Sequence, residues 1–352
     1  MASNGDDGAR GAVDVHTHFV PERFPAYAGS AAVPSWPSME RAGGCHHNVM
    51  IAGKVFRKVH CRCWDDGLRR TEMGEQGIGM QVLSPMPELL SYWMDSAPAA
   101  QLLRYINTQI ADLVARGAGH YAALAAVPLQ DVDAAIAELD FAMHTLGLAG
   151  VEIGSNINGV AIGDSRFEPF FAAAESLGAA IFVHPLRAAG KERLIGPPML
   201  EQVLAFPGEI GLSAASMVTG GMMARHPRLR IAFSHGGGTL NTLLPRLEHA
   251  YRAFPALREL LTEVPADTVR RFFFDTLVYD ASMLRRVLEV IGDEQVMLGT
   301  DYPFDIRETD PLGRLAELAL PAATVARITH RNAQRWLGTS SIHSSHSSHS
   351  SN

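Results

Sequence analysis

The stretch Val13-Asp14-Val15-His16-Thr17-His18 constrains the fold of this 352-residue chain more than any other. It begins as an apolar run typical of a β-strand and ends in two histidines. Alternate residues of a strand point to the same side, so His16 and His18 are expected to face one side together. At the carboxyl end of a barrel strand they would lie where such barrels place their active sites. Two neutral imidazoles at this spacing suit one divalent metal ion, although so short a motif also occurs without metal.

Seven more short apolar runs follow along the chain, and most are continuous, as is typical of parallel strands buried on both faces. The eight predicted strands are Val13–His18, Ile78–Ser84, Tyr121–Val127, Gly150–Gly154, Ala180–His184, Leu229–His235, Phe272–Thr276 and Gln295–Asp301. Amphipathic stretches that predict helices lie between them, for example Leu102–Arg116, Ala134–Leu146, Glu168–Leu177, Leu240–Phe254 and Ser282–Ile291. This alternation predicts a (β/α)₈ barrel of the TIM type. A doubly wound sheet is less consistent with the sequence, because no G-x-G-x-x-G follows the first run.

Polar residues end three of the later runs, and each is followed by proline or glycine turn residues. His184 ends the fifth run, His235 the sixth and Asp301 the eighth. Because strand ends converge at one rim of a barrel, these side chains are expected to meet His16 and His18. Three histidines and a carboxylate form a mixed nitrogen and oxygen set, which suits zinc, and also manganese or iron. We therefore predict that His16, His18, His184 and Asp301 hold one divalent metal ion, with a coordination position left for water.

His235, the remaining strand-end histidine, indicates how the site could move a proton. A bound divalent cation lowers the pKa of its water from about 16 toward about 7. His235, with an ordinary pKa of about 6.5, could take a proton from that water, or it could be a further metal ligand. We favour the role of general base for His235. Asp301 could both ligate the metal and take part in proton transfer.

One connection in the predicted barrel is unusually long. About fifty residues, 19–70, separate the first and second runs and contain several prolines. A connection of this length predicts a lid or a substrate-binding excursion. We predict a single barrel domain over residues 12–338, with residues 1–11 and 339–352 disordered. The last segment contains a Ser/His-rich tract with His343, His346 and His349.

Composition excludes several other classes of protein. The net charge is −7, without a long block of one sign, so neither nucleic acid nor an anionic membrane is the expected partner. The chain has three cysteines, Cys45, Cys61 and Cys63, and this odd number predicts reduced thiols. No basic-then-apolar leader and no apolar run of membrane-spanning length occur, so a cytoplasmic protein is expected.

The sequence also resembles a known family. The shared stretches are Val13–His18, Gly53-Lys54-Val55-Phe56-Arg57, Cys63-Trp64-Asp65, Ser91-Tyr92-Trp93, Val127-Pro128-Leu129-Gln130, Gly150–Gly154, Val183-His184-Pro185, Ser234–Gly238 and Leu298–Phe304. In these stretches the chain resembles the metal-dependent decarboxylases of the amidohydrolase superfamily, most closely the 2-amino-3-carboxymuconate-6-semialdehyde decarboxylase branch. The resemblance runs in the same order from Val13 to about Leu337.

The resemblance implies roles for individual residues. It implies that His16, His18, His184 and Asp301 are zinc ligands and that His235 is the catalytic histidine. It also implies that Arg57 holds a substrate carboxylate, and that Arg246 of one subunit reaches the active site of its neighbour in a homodimer. Arginine suits such a role because its planar fork pairs with both carboxylate oxygens. Without the resemblance, Arg57 is a solvated loop charge and Arg246 a charge on a helix surface.

The chain departs from that branch in three places. It has Leu186-Arg187 after the fifth strand, Leu200-Glu201-Gln202 before the next helix, and Asp305-Ile306-Arg307 after the eighth strand. All three lie where side chains could line the pocket, so the substrate is expected to differ while the metal chemistry is kept. Arg187 or Arg307 could bind an additional acidic group, or lie on the surface.

Together these features predict a metal-dependent non-oxidative decarboxylase, a carbon–carbon lyase acting on a small unsaturated or aromatic carboxylic acid. The expected mechanism uses metal-activated water and a catalytic histidine. The alternative is a metal-dependent hydrolase of a cyclic amide, lactone or related bond, since the same site could direct water at a carbonyl. A non-enzymatic metal-binding protein would leave His235 and the long connection without a purpose.

Overall fold

The computed structural model describes residues 11–29 and 32–339. Eight parallel strands form one sheet whose order follows the chain: Ala12–Phe19 (β1), Ile78–Pro85 (β5), Tyr121–Ala126 (β6), Gly150–Gly154 (β7), Ala180–His184 (β10), Arg230–Phe233 (β11), Phe273–Asp275 (β12) and Val296–Met297 (β13). The last strand returns to the first: the Val15 amide donates to Leu298 O at 2.9 Å, and Thr17 pairs with Tyr302 in a parallel bridge. The predicted (β/α)₈ barrel is thereby confirmed, with all eight strands at the predicted places.

The strands are β1 Ala12–Phe19, β2 Ser38–Arg41, β3 His46–Ile51, β4 Lys54–His60, β5 Ile78–Pro85, β6 Tyr121–Ala126, β7 Gly150–Gly154, β8 Asn156–Ile157, β9 Val160–Ala161, β10 Ala180–His184, β11 Arg230–Phe233, β12 Phe273–Asp275 and β13 Val296–Met297. The α-helices are α1 Asp66–Glu75, α2 Ser96–Arg116, α3 Val132–His144, α4 Glu168–Leu177, α5 Phe206–Thr219, α6 Met222–Arg225, α7 Leu240–Ala253, α8 Pro255–Leu260, α9 Pro265–Val269, α10 Ala281–Ile291, α11 Pro311–Ala316, α12 Ala322–Ala326 and α13 Asn332–Leu337.

Local sequence explains where the barrel helices begin and end. Asp131 and Asp280 precede α3 and α10, and each carboxylate accepts a hydrogen bond from a backbone amide of the first turn. Helix α4 ends at Gly178, whose φ of 63° favours glycine because a side chain would be strained there. These capping residues fix where the helices begin and end, and therefore where the connections to the neighbouring strands begin.

A β-bulge in β1 determines which residues of this strand face the barrel interior. The register between β1 and β5 shifts between Asp14 and Thr17, which adds one residue to β1. As a result, Val15 and His16 both contact the barrel interior although they are neighbours in sequence. Val15 belongs to the same core cluster as Phe182, and the His16 ring lies 5.0 Å from the Phe182 ring.

The C-terminal helix closes the opposite end of the barrel. Trp336 of α13 is fully buried, and its indole Nε1 donates to Arg230 O at 3.1 Å and Ile181 O at 3.3 Å. Both carbonyls lie near the amino-terminal ends of their strands. The carboxyl ends of the strands are therefore the ones left for a ligand cavity.

The long connection after β1 is more regular than predicted. It contains a three-stranded antiparallel sheet of β2, β3 and β4, and its predicted end at residue 70 falls inside α1. The expectation of reduced thiols is wrong for two of the three cysteines. Cys45 and Cys61 form a disulfide with their Cα atoms 5.3 Å apart, because the β3–β4 pairing brings these distant positions together; Cys63 is a free, buried thiol.

The predicted disordered ends lie almost wholly outside the described residues, and so does the Ser/His-rich tract. Gly11 and Thr339 are the exceptions, and both make hydrogen bonds: Gly11 O accepts from His330, and the Thr339 amide donates to Gln334 O. Among residues 11–29 and 32–339, no helix combines the length and apolar character needed to cross a bilayer.

Candidate metal centre and active site

Four predicted ligands meet at the carboxyl ends of three barrel strands. His16 and His18 lie on β1, His184 ends β10, and Asp301 follows β13. One ligand atom from each of the four lies within 4.8 Å of those from the others, and all four side chains are buried. Asp301 has a φ of 65°, a strained conformation for a residue with a side chain, in the turn after β13.

The three histidines share one hydrogen-bonding pattern: Nδ1 faces an acceptor. The acceptors are Asp275 Oδ2 at 2.7 Å from His16, Pro85 O at 3.3 Å from His18 and Pro185 O at 3.0 Å from His184. An acceptor at Nδ1 keeps the proton on that nitrogen and leaves Nε2 with a free lone pair. All three rings are thus prepared to ligate through Nε2.

The ligand atoms that face each other in this site are all hydrogen-bond acceptors, and among the residues that the structure describes no donor lies between them. His16 Nε2 lies 3.1 Å from His18 Nε2, which in turn lies 3.0 Å from Asp301 Oδ1. His184 Nε2 and Asp301 Oδ1 are buried and have no hydrogen-bond partner within the described residues. Two imidazole nitrogens on one tetrahedral zinc ion would be about 3.3 Å apart. The residues therefore fit a divalent cation, which would satisfy all four lone pairs at once.

His235 lies beside these ligands. It follows β11, and its ring centroid is 5.3 Å from that of His184 and 5.4 Å from that of His16. Its Nδ1 lies 2.9 Å from Ser234 Oγ. In the metal-free chain, burial and, after it, the positive charge of protonated His16 lower the pKa of His235 to about 4. Its imidazole is therefore neutral near pH 7 and able to accept a proton.

Asp275 connects the ligands to the His235 loop, and sequence analysis missed it. Besides His16, its carboxylate accepts hydrogen bonds from the backbone amides of His235 at 3.0 Å, Gly236 at 2.8 Å and Leu277 at 3.0 Å. Burial opposes the charge, but the hydrogen bond from His16 and the other donors keep the pKa of Asp275 below its ordinary value. Asp275 lies near the end of the seventh predicted strand, so the strand-end signal that identified the other residues was present here too.

Two further buried carboxyl groups were also missed. Asp14 joins β1 to the turn of Asp301, because it accepts from Thr300 Oγ1 at 2.6 Å and from the Thr300 amide at 3.1 Å. Glu152 on β7 has no hydrogen-bond partner for either oxygen in the described part of the chain, and one oxygen lies 3.8 Å from His18 Nδ1. Burial raises the pKa of Glu152 to about 8. A charged residue within the apolar run Gly150–Gly154 was the available signal.

A cavity with two adjoining lobes opens over the metal ligands. The inner lobe, about 550 Å³, is lined by His184, His235 and Asp301 among others. The outer lobe, about 660 Å³, is lined by Trp93, Arg187 and further residues. Four residues line both lobes: Arg57, Glu88, Gln202 and Phe206. The size and mixed lining are typical of a site for a small polar molecule.

Of the two predicted substrate arginines, one reaches the cavity and the other does not. Arg57 on β4 reaches the cavity, where its guanidinium lies 4.7 Å from the centre of the Phe304 ring, and Phe304 stacks on His18. Its Nη2 lies 3.5 Å from Glu88 Oε1. Arg246 is exposed on α7 and does not line either lobe of the cavity in this single chain.

Each of the three departures from the branch contributes to the cavity lining. Arg187 lines the outer lobe with its guanidinium 3.8 Å from the centre of the Trp93 ring, Gln202 lines both lobes, and Ile306 lines the inner lobe. Arg307 lines neither lobe and donates to Phe304 O at 3.1 Å. Each departure thus supplies a residue to the wall of the cavity above the metal ligands.

The sequence profile of the amidohydrolase family matches residues 13–339. The chain belongs to this family. It is 35% identical over 306 residues to a 2-amino-3-carboxymuconate-6-semialdehyde decarboxylase of Dictyostelium discoideum, covering 87% of this chain and 85% of that protein. It is 28% identical to a 6-methylsalicylic acid decarboxylase of Penicillium expansum, covering 83% and 84%.

A solved structure shares the fold along almost the whole length. The 5-carboxyvanillate decarboxylase of Novosphingobium aromaticivorans superposes with a TM-score of 0.75 at 19% identity, covering 96% of this chain and 98% of that one. With relatives of this kind over most of its length, the chain is an enzyme of the carbon–carbon lyase class in the amidohydrolase superfamily.

Proposed function

We propose that the protein is a non-oxidative decarboxylase of a small unsaturated or aromatic carboxylic acid and works with one divalent metal ion. The observation that carries this proposal is the convergence of His16, His18, His184 and Asp301 below a cavity that also contains a neutral histidine and an arginine. The decarboxylase relatives act on molecules of this class, as their names state.

The proposed metal is zinc, with manganese or iron as alternatives. Nitrogen and oxygen ligands of this kind suit all three metals. The 5-carboxyvanillate decarboxylase noted above was solved with manganese, which supports a divalent ion but not a particular one. When bound, the cation supplies Lewis-acid charge that stabilises negative charge developing on a neighbouring oxygen.

His235 has the role of proton carrier in this proposal. Loss of CO₂ leaves the electron pair of the broken bond on a carbon atom, and that carbon must receive a proton. A neutral imidazole at the wall of the inner lobe can take a proton from water and pass it to the carbon. The low pKa of His235 favours the second of these steps, donation to the carbon, because the imidazolium gives up its proton readily.

Arg57 has the role of substrate anchor. Its side chain lies where the two lobes join, so it can pair with a carboxylate above the metal ligands. The nearby Glu88 leaves part of the fork free, because their contact at 3.5 Å is a loose one. Arg187, stacked on Trp93 in the outer lobe, is placed to bind a second acidic group of a longer substrate.

The test is a substrate panel of carboxylated muconate semialdehydes and of hydroxy- and amino-aromatic acids, followed by mass spectrometry and CO₂ release. We expect a product lighter by the mass of CO₂, and no turnover by His235→Ala or after metal removal. A product heavier by one water would instead establish the hydrolase. The predicted cytoplasmic location is a separate point, which fractionation of the source cells would test.

A further inference from the structure

A second group of metal-binding side chains lies on the β3–β4 hairpin. Cys45, His60 and Cys61, here called the hairpin cluster, each offer a ligand atom, and the three atoms lie within 4.8 Å of one another. The antiparallel pairing of His46 with His60 brings the sequences Cys45-His46 and His60-Cys61 side by side. The cluster shares no residue with the lining of either cavity lobe.

One pair of ligand atoms in the hairpin cluster already has the separation that a shared cation needs, while the two sulfur atoms are joined in the disulfide and separate on reduction. His60 Nδ1 lies 3.6 Å from Cys61 Sγ. A nitrogen and a sulfur bound to one tetrahedral zinc ion are separated by about 3.6 Å, given zinc bonds of about 2.0 and 2.3 Å. The His46 ring lies 4.8 Å from the His60 ring. Coordination by His60 Nδ1 would replace the hydrogen bond that it now accepts from the Arg62 amide at 3.2 Å.

The donor set differs from that of the catalytic centre. Two thiolates and an imidazole are soft to borderline ligands that select zinc, cadmium or cobalt over magnesium or calcium. The catalytic ligands contain no sulfur. Cys45 is exposed and Cys61 is buried, so solvent and a reductant reach the cluster from one side.

We propose that the hairpin cluster is a thiol-controlled second metal site, which binds a thiophilic divalent cation when the Cys45–Cys61 disulfide is reduced. A dithiol reductant supplies two electrons and two protons; the Cys45–Cys61 bond breaks into two thiols and the reductant becomes a disulfide. Binding of the cation then releases both thiol protons, because thiolates are the ligands. The disulfide and the metal exclude each other, since they use the same two sulfur atoms.

Cobalt(II) titration of the full-length protein tests this proposal, because sulfur-to-cobalt charge transfer gives a near-ultraviolet band that sulfur-free sites lack. Neither the catalytic centre nor the Ser/His-rich tract contains sulfur. We expect the band to grow to one equivalent in protein that has been reduced with a dithiol and then freed of it by gel filtration, to be absent from oxidised protein, and to disappear when zinc is added. Mass spectrometry under native conditions should count one more metal per chain after reduction.

Matched variants assign the band. Cys45→Ser and Cys61→Ser should lose it, and His60→Ala should weaken and shift it. Cys63→Ala and His47→Ala are the controls: Cys63 is the buried thiol outside the cluster, and the His47 ring stacks on Trp64. Both controls should keep the band. The proposal is overturned if folded, reduced wild-type protein gives no band, or if the band survives in Cys45→Ser or vanishes only in Cys63→Ala.

Discussion

At the level of single residues, Asp275 links the candidate metal ligands to the His235 loop. It orients the His16 ring and fixes the backbone of the His235 loop with the same carboxylate. We expect Asp275→Asn to lower metal affinity about 10- to 100-fold, because an amide no longer fixes the His16 tautomer. Competition with a chelator measures this affinity. Asp280→Asn is the control, since Asp280 caps α10 at the surface; equal affinity in the two variants would contradict the assignment.

Glu152 is a second single residue with a measurable effect, because its protonation makes the free energy of unfolding depend on pH. Its pKa rises through burial from 4.5 to about 8 in the folded, metal-free chain. Between these values the unfolded chain binds fewer protons than the folded one, so the free energy of unfolding falls as pH rises from about 4.5 to about 8. Glu152→Gln does not titrate and should show a smaller fall in urea unfolding of the metal-free protein. Glu40→Gln, an exposed control, should follow the wild type; parallel curves for Glu152→Gln and wild type would refute the shift.

The predictability of the site differed from residue to residue. His16, His18, His184 and Asp301 could be predicted to meet because each ends an apolar run, and barrel geometry collects such ends. Asp14 and Glu152 carry no such signal, since a carboxyl group inside a run does not indicate which partner it will have. Asp275 does lie at a strand end, but its role becomes visible only through the amides of a loop forty residues earlier.

At the level of elements, the barrel strands were predictable and the inserted sheet was not. Strands buried on both faces leave continuous apolar runs, such as Ala180–His184. The strand Ser38–Arg41 is mostly exposed and charged, so it resembles a loop in sequence. The Cys45–Cys61 disulfide follows from the pairing of β3 with β4. The spacing of the cysteines in the sequence does not reveal this pairing.

Arg69 joins the inserted segment to the barrel. It is fully buried, and its Nη1 donates to His18 O at 3.0 Å and to Arg62 O at 3.0 Å. Arg69→Met should lower the free energy of unfolding by about 2–4 kcal/mol, since these buried carbonyls lose their donor. Arg70→Met is the control, because Arg70 makes an exposed pair with Asp66 and should cost under about 1 kcal/mol. Denaturant unfolding would refute the assignment if both variants lost the same amount.

At the level of the whole molecule, the proposed homodimer remains a prediction. Helix α7 exposes Arg246 together with Leu243, and Phe254 directly after the helix is exposed as well; these residues form an apolar surface suited to a second copy of the chain. If Arg246 acts in the partner's site, His235→Ala and Arg246→Ala should each be inactive but regain activity when mixed. Arg252→Ala, on the same helix, should stay active alone. A mixture that remains inactive, or an active Arg246→Ala, would contradict this arrangement.

In the proposed enzyme, one divalent cation held by His16, His18, His184 and Asp301 is required for decarboxylation. The most direct measurement is a metal titration of metal-free, disulfide-intact protein with the best substrate of the panel, while CO₂ release is recorded. We predict that CO₂ release rises in proportion to added metal, levels off at one equivalent per chain, and is absent in His184→Ala. Full activity of metal-free protein, or an unchanged titration curve in His184→Ala, would contradict the claim.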